Sequence, residues 1–186
     1  MSGDSPIEGG VLAAQMRQAF DQGFGLPPTP PSAQEALILL RAGETALALK
    51  CIQIQAIIRA GVIAPLPRPA PGLLGLSGVR GALIPVFSLA AALGLPTSPV
   101  RPGWLALVAS ETPIALAFED LEGQVAVTRD CLTPAPADPA HPHLRDLLCL
   151  PSTTRAVADI PGLLAALRRQ PGLNPSPMFH EGVNPE

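Results

Sequence analysis

Between residues 36 and 160 the chain reads as short apolar runs, each stopped by glycine, proline or paired charges. ALILLRAG (36–43) halts at Gly43-Glu44, and TALALK (45–50) resumes with Leu47 and Leu49 alternating, the pattern of a β-hairpin. CIQIQAIIRAG (51–61) carries two periods at once. Ile52 and Ile54 alternate as in a strand, whereas Ile54, Ile57 and Ile58 share a helical face, and we read the segment as a short helix or turn. Prolines at 65, 67, 69 and 71 then make VIAPLPRPAPG (62–72) an extended segment at a sheet edge or outside the sheet.

The next stretch, Pro71 to Pro96, holds one charged residue, Arg80, with glycines at 72, 75, 78 and 81 around it. An unpaired arginine is costly to bury, so Arg80 belongs at a surface or in a satisfied pocket, and Gly81 directly after it predicts a tight turn. Ala82, Leu83 and Ile84 lead to Pro85, which has no N–H to donate and puts this strand at an edge or a bulge. The expected picture is a rim turn presenting Arg80, followed by a strand anchored in a core. SLAAAL (88–93) is a short helix that Ser88 can cap, stopped by Gly94 and Pro96. WLALVAS (104–110), IALAF (114–118) and LEGQVAV (121–127) read as strands. TPAPADPAHPHL (133–144) is a second proline-rich excursion, LLCLPSTTRAVADI (147–160) supplies one or two more strands, and PGLLAALRR (161–169) is a helix ending in arginines that suit its dipole.

About nine or ten short strands without intervening long helices indicate small barrels or a sandwich, not a βαβ sheet. A hairpin followed by a proline-rich connection occurs in 37–71 and again in 104–142, so two similar subdomains are expected within 36–169. Residues 1–35 read as an N-terminal helix (Val11, Leu12, Met16, Ala19, Phe20, Phe24) and a proline-rich linker, LPPTPP. That helix is either a mobile tail or a partner-docking peptide anchored by Phe20 and Phe24. Residues 170–186 have little core-forming material and read as a disordered tail.

Composition sharpens this picture in three ways. Of the 186 residues 47% are hydrophobic but only 3% are aromatic, with no tyrosine, so the core is aliphatic. A formal charge of −3 leaves no basic footprint for nucleic acid, and the 15% charged residues leave apolar surface uncovered, as suits an interaction protein. The three cysteines, Cys51, Cys131 and Cys149, form no C-x-x-C, and their odd number argues against a disulfide framework; each is expected to be a small buried apolar residue. The uncharged run 81–100 is as long as a membrane span, but prolines interrupt it, and no secretory signal opens the chain. A soluble, cytoplasmic protein without membrane insertion is expected.

Candidate chemistry is sparse. Gly75-Leu76-Ser77-Gly78 approaches a nucleophile elbow but is one residue short of G-x-S-x-G, which leaves a small hydrolase using Ser77 as the reading from a different class. His141, His143 and Cys149 can be drawn as metal ligands, though such a site needs a rigid scaffold and a further ligand. There is no P-loop, G-x-G-x-x-G or H-E-x-x-H motif. No cofactor is expected.

The arrangement resembles the CheW-like domain family over roughly residues 36–168. LILLRAGETALAL is similar to that family's opening hairpin, L-x-F-x-L-G-x-E-x-Y-A-I, and Ile54 to Ile58 to its V-x-E-I-I. The most specific piece is Gly75 to Leu89, GLSGVRGALIPVFSL, which resembles two glycines bracketing an arginine, a hydrophobic pair and P-V-x-D-L. ALAFEDL (115–121) is a weaker match to G-L-x-V-D-x-V. The chain has Ala46 for the hairpin tyrosine, Ala56 and Ser88 for two acidic residues, and Glu119 for an aspartate. The resemblance implies a mainly β fold of two SH3-like five-stranded barrel subdomains with short helices, and no catalysis. It implies an adaptor joining the regulatory domain of a CheA-type histidine kinase to the signalling tip of methyl-accepting chemoreceptors, or, given the replacements, an adaptor of a divergent pathway such as type IV pilus motility. Carried over by position, the partner-binding residues are Arg80, Ile54, Gly75 and Gly81. The bland alternatives are an Arg80 bonded to loop carbonyls, an Ile54 in the core, and glycines kept for backbone geometry.

Overall fold

The computed structural model describes residues 34–111 and 113–169. The expected N-terminal helix, its linker and the C-terminal tail lie outside the described residues. What is described is mainly β, in two six-stranded sheets. The first contains β1 (Gln34–Ala42), β2 (Thr45–Lys50), β9 (Asp120–Thr128), β10 (Leu132–Pro134), β11 (Leu144–Leu150) and β12 (Thr153–Ala158), in the order β10-β11-β12-β2-β1-β9. The second contains β3 (Ile54–Arg59), β4 (Ile63–Ala64), β5 (Leu73–Val79), β6 (Ala82–Ser88), β7 (Trp104–Val108) and β8 (Ala115–Phe118), in the order β3-β7-β8-β6-β5-β4. Each sheet has one strand more than the five expected, the additions being the short edge strands β4 and β10. Two helices follow corresponding strands: α1 (Leu89–Ala92) after β6 and α2 (Ile160–Arg168) after β12. None of the described helices is long and apolar enough to cross a membrane.

The two strand orders are the same pattern. Running from β1 to α1 and from β7 to α2, each half of the chain makes a hairpin, four further strands and a helix. Each half then gives its hairpin to the other half's sheet: β2 lies parallel to β12, and β8 parallel to β6. The echo between 37–71 and 104–142 is therefore a structural repeat, with the hairpins exchanged. The apolar pattern follows from this exchange. Ile38, Leu40, Leu47 and Leu49 face a core shared with Phe87, Val108, Leu116, Phe118 and the buried side of α2. Leu37 and Ala48 face the first sheet's own core with Val127, Leu148 and Val157. Leu105, Leu107, Ala115 and Ala117 do the same for the second sheet with Ile84 and Val86. The hairpin strands are buried on both faces, which is why ALILL and WLALV read as continuous apolar runs.

Several local expectations change. Residues 51–61 are a single 3-10 turn, Cys51–Gln53, and then the strand β3, not a short helix or turn throughout. A bulge between Ile54 and Ala56 produced the mixed periodicity. It lets Ile54 face the shared core and Ala56 the second sheet's core, although both are even-numbered positions. Pro85 sits in an interior strand, but the β6–β8 ladder starts only at Val86, so at Pro85 the strand is bonded on one side. Ser88 caps α1, its Oγ accepting the Ala91 N–H at 3.3 Å, and Asp159 caps α2 by accepting the Gly162 N–H at 3.2 Å.

Lys50 ties three strands together, its Nζ 3.2 Å from both Glu35 of β1 and Asp146 of β11. Partial burial alone would lower its pKa, but hydrogen bonds and charges from the two carboxylates outweigh this and hold it above the ordinary 10.5. A lysine whose pKa is higher in the folded state stabilises fully below the unfolded value and loses that contribution as pH rises through the folded one. The stability difference between wild type and Lys50→Met, about 0.5 kcal/mol after solvent screening, is therefore expected to be flat to pH 9 and to shrink only above 10.5. Paired urea melts across that range check it.

Candidate functional site

The strands β5 and β6 are joined by a two-residue turn, Arg80-Gly81, with Val79 opposite Ala82. Both turn residues have positive φ, +50° at Arg80 and +83° at Gly81, the arrangement whose twist matches a tight hairpin. Arginine pays for this conformation, since its Cβ crowds the following carbonyl. Gly81 meets nothing where a Cβ would stand, so its role is the turn itself. Arg80 is exposed and has no ion-pair partner among the described residues. The expected rim turn is thus observed, and Arg80 is not tied to loop carbonyls.

Behind the turn, Arg80, Val79 and Ile84 line a groove of about 160 Å³ with Gln55 of β3, Val108 of β7 and Ile114. A second groove, of about 340 Å³, lies between the Cys51–Gln53 turn and α2. Ile52, Gln53, Val108 and Ala109 form one wall, and Pro161, Leu164, Ala165 and Arg168 the other. Val108 lines both. Among the described residues the two linings are apolar or uncharged except for Arg80 in the first and Arg168 in the second. Ile52, in the lining of the second groove, is 85% exposed, an unusual state for an isoleucine. On the hairpin's outer face Leu83, paired with Gly78, is 74% exposed, and Val62, just ahead of β4, is 87% exposed.

The remaining candidates act from beneath. Ile54 is half-buried and packs on the shared core between the two grooves, so its neighbours Ile52, Gln53 and Gln55 carry the surface. Gly75 is buried at φ +149°, and a Cβ there would meet the Ala64 carbonyl of β4. Its contribution is to let β4 close on β5. Glu119 accepts the Gly43 N–H at 2.6 Å, which fastens β8 to the β1–β2 turn. Ala56 lies against the second sheet's core.

Ser77 is 4% exposed, and its Oγ donates to the Val62 carbonyl at 3.1 Å, which secures the edge strand and withdraws it as a nucleophile. His141 Nδ1 lies 2.8 Å from Asp138, whose carboxyl is held below its ordinary value by that contact. The His143 carbonyl accepts the Asp159 N–H, and Cys149 lies beside Thr133. The described residues form no cluster of three metal-ligating side chains. The cysteines also differ from expectation: Cys51 and Cys131 are half-buried, whereas Cys149, on the outer face of β11, is exposed. Partial burial raises the Cys51 thiol above its ordinary 9.0.

Sequence reasoning found Arg80 from its isolation, but it missed Ile52, Gln53 and Arg168 as one surface. No local signal joins them, because the groove is assembled from three segments far apart in the chain. The C-terminal arginines were legible only as partners of a helix dipole.

Comparison with known proteins agrees with this architecture. The CheW-like domain model matches residues 24–167, most of the chain. No curated protein matches. Among solved structures, the scaffolding protein TtCheW from Thermoanaerobacter tengcongensis superposes with a TM-score of 0.60 at 12% identity, over 67% of this chain and 88% of that one, a likeness of fold. The chain belongs to the CheW-like domain family.

Proposed function

We propose that this protein is a non-catalytic chemosensory adaptor that couples chemoreceptors to a CheA-type histidine kinase in the cytoplasm. The observation that carries the reading is the pair of mainly apolar grooves that share Val108 and carry Arg80 and Arg168 as their charged lining residues, together with exposed Leu83 on the β5–β6 hairpin and exposed Val62 just ahead of β4. A surface of this kind fits protein recognition. Apolar anchors supply burial, and arginine, which is enriched among binding hot spots, supplies directed hydrogen bonds. Membership of the CheW-like family, and fold likeness to a protein described as a scaffold, support the adaptor role. Two contact regions, the Arg80 hairpin and the α2 groove, allow two partners to be held at once. Simultaneous engagement raises the effective concentration of one partner for the other, which is the physical content of coupling.

Titration of the purified protein with a kinase regulatory domain and, separately, with a receptor signalling fragment tests the reading. Binding to each is expected, and binding to neither would sink it. The flagellar or pilus assignment rests on Ala56 and Ser88, which replace acidic residues of the family pattern. Because Ala56 faces a core and Ser88 caps a helix, these replacements remove charge without opening the fold. An adaptor of a divergent pathway is expected to leave swimming unrestored in a strain lacking its flagellar adaptor; restored swimming would count against that assignment.

A further inference from the structure

Beside the N-terminus of α2 lies a polar pocket of about 230 Å³, lined by Lys50, Gln53, Arg145, Asp146 and Asp159 with two apolar residues of β12. Its charged side chains are already paired. Lys50 Nζ lies 3.2 Å from Asp146 Oδ2, and Arg145 Nε lies 3.2 Å from Asp159 Oδ2. Lys50 is shared with Glu35, also at 3.2 Å, so three carboxylates stand against two cations and one negative charge is left over. The helix N-terminus contributes about half a positive charge, which offsets this excess only in part. Gln53 adds an acceptor, because its Oε1 is buried and has no hydrogen-bond partner. A buried acceptor left unpaired costs folding free energy, and an apolar residue of similar shape would avoid that cost.

We infer that this pocket takes one cationic group, an ammonium or a guanidinium, which donates to Gln53 Oε1 and is held by the charge of Asp146 and Asp159. The group arrives on a free amine or guanidine, or on a lysine or arginine side chain of a partner; the recognising chemistry is the same. The volume is below the roughly 300 Å³ at which small-molecule sites begin, so the pocket admits one such group with its alkyl stem and not a larger ligand. An anion is disfavoured by the excess negative charge. A neutral donor gains the hydrogen bond to Gln53 but not the attraction of the carboxylates, and charge-assisted hydrogen bonds are the stronger kind. Arg145, whose side chain is 69% exposed, is the movable wall: it can leave Asp159 for solvent and let the incoming cation take its place. The inference rests on this pocket and not on the adaptor reading.

The test titrates the full chain with n-butylammonium and with ethylguanidinium at constant ionic strength, following the backbone amide resonances of Lys50 and Asp146 by NMR. A saturable shift with a millimolar dissociation constant is expected, and n-butanol, a donor without charge, binds at least about tenfold more weakly. Gln53→Leu weakens n-butylammonium binding by at least about tenfold, as loss of a hydrogen bond to a charged group does, and keeps the melting temperature because the unpaired acceptor is gone. Arg145→Gln, at an exposed position, strengthens binding about threefold by releasing Asp159, an effect that a merely structural role of the cluster would not give. No saturable shift, an equal response to n-butanol, or unchanged affinity in both variants would overturn the inference. Saturation with a kinase regulatory domain or a receptor signalling fragment then separates the sources. Exclusion of n-butylammonium from the complex would assign the cationic group to a partner's side chain, and its retention to a free amine.

Discussion

Arg80→Gly is expected to weaken partner binding by at least about thirtyfold, roughly 2 kcal/mol, while the fold stays intact. The two halves of this expectation have separate causes. Arg80 is exposed, carries the charge at one end of the groove behind its hairpin, and has no internal partner to lose. Its backbone is held at φ +50°, which costs a side-chain-bearing residue about 1 kcal/mol and costs glycine almost nothing. Glycine in turn makes the unfolded chain more flexible, giving back about 0.5–1 kcal/mol. The two terms offset, so the melting temperature is expected to move by no more than about 2 °C. Arg80→Ala loses the guanidinium but keeps the backbone cost, so the two variants should bind equally poorly. Titration against the kinase regulatory domain and the receptor fragment reads the first effect and a thermal melt the second. Wild-type affinity for both partners in either variant would remove Arg80 from the interface.

Gly75→Ala is expected to be strongly destabilising, costing about 3 kcal/mol or more. The φ of +149° is one that L side chains rarely adopt, and the new Cβ would run into the Ala64 carbonyl, which belongs to backbone and cannot rotate away. Relief requires β4 to move off β5, which also breaks the Ser77–Val62 hydrogen bond. A fall of roughly 6–12 °C in melting temperature is expected for a domain of this size. The single tryptophan reports it cleanly, since there is no tyrosine and Trp104 packs under the Arg59 guanidinium at 3.9 Å. Amide exchange at Ile63 and Ala64 should speed up first. Weakened partner binding with an unchanged melt would instead make Gly75 a contact residue.

How far the sequence could be read depends on where each signal lies. The hairpin at Gly43-Glu44, the Arg80-Gly81 turn, the Ser88 cap and the helix opening at Pro161 were legible because each is decided by neighbouring residues. Two similar subdomains were legible from the repeated hairpin and proline-rich connection. The exchange of hairpins was not, because β2 with β12 and β8 with β6 are parallel pairings between distant segments and leave no local pattern. Residues 51–61 were misread for a related reason. Their periodicity was broken by a bulge whose cause is the need to face two cores, visible only once both cores exist. At the site, a lone arginine in an uncharged segment stood out. Ile52 looked like one more core isoleucine, and nothing in the sequence marks it as exposed. Gln53, a polar residue in an apolar run, was a signal that could have been used, since such a residue is either turned to solvent or kept for a partner.

The most direct measurement is sedimentation of the purified protein mixed with a kinase regulatory domain and a receptor signalling fragment. An adaptor gives a single species containing all three, with each partner bound more tightly when the other is present. Two mutually exclusive binary complexes, or no complex at all, would contradict coupling through simultaneous contacts.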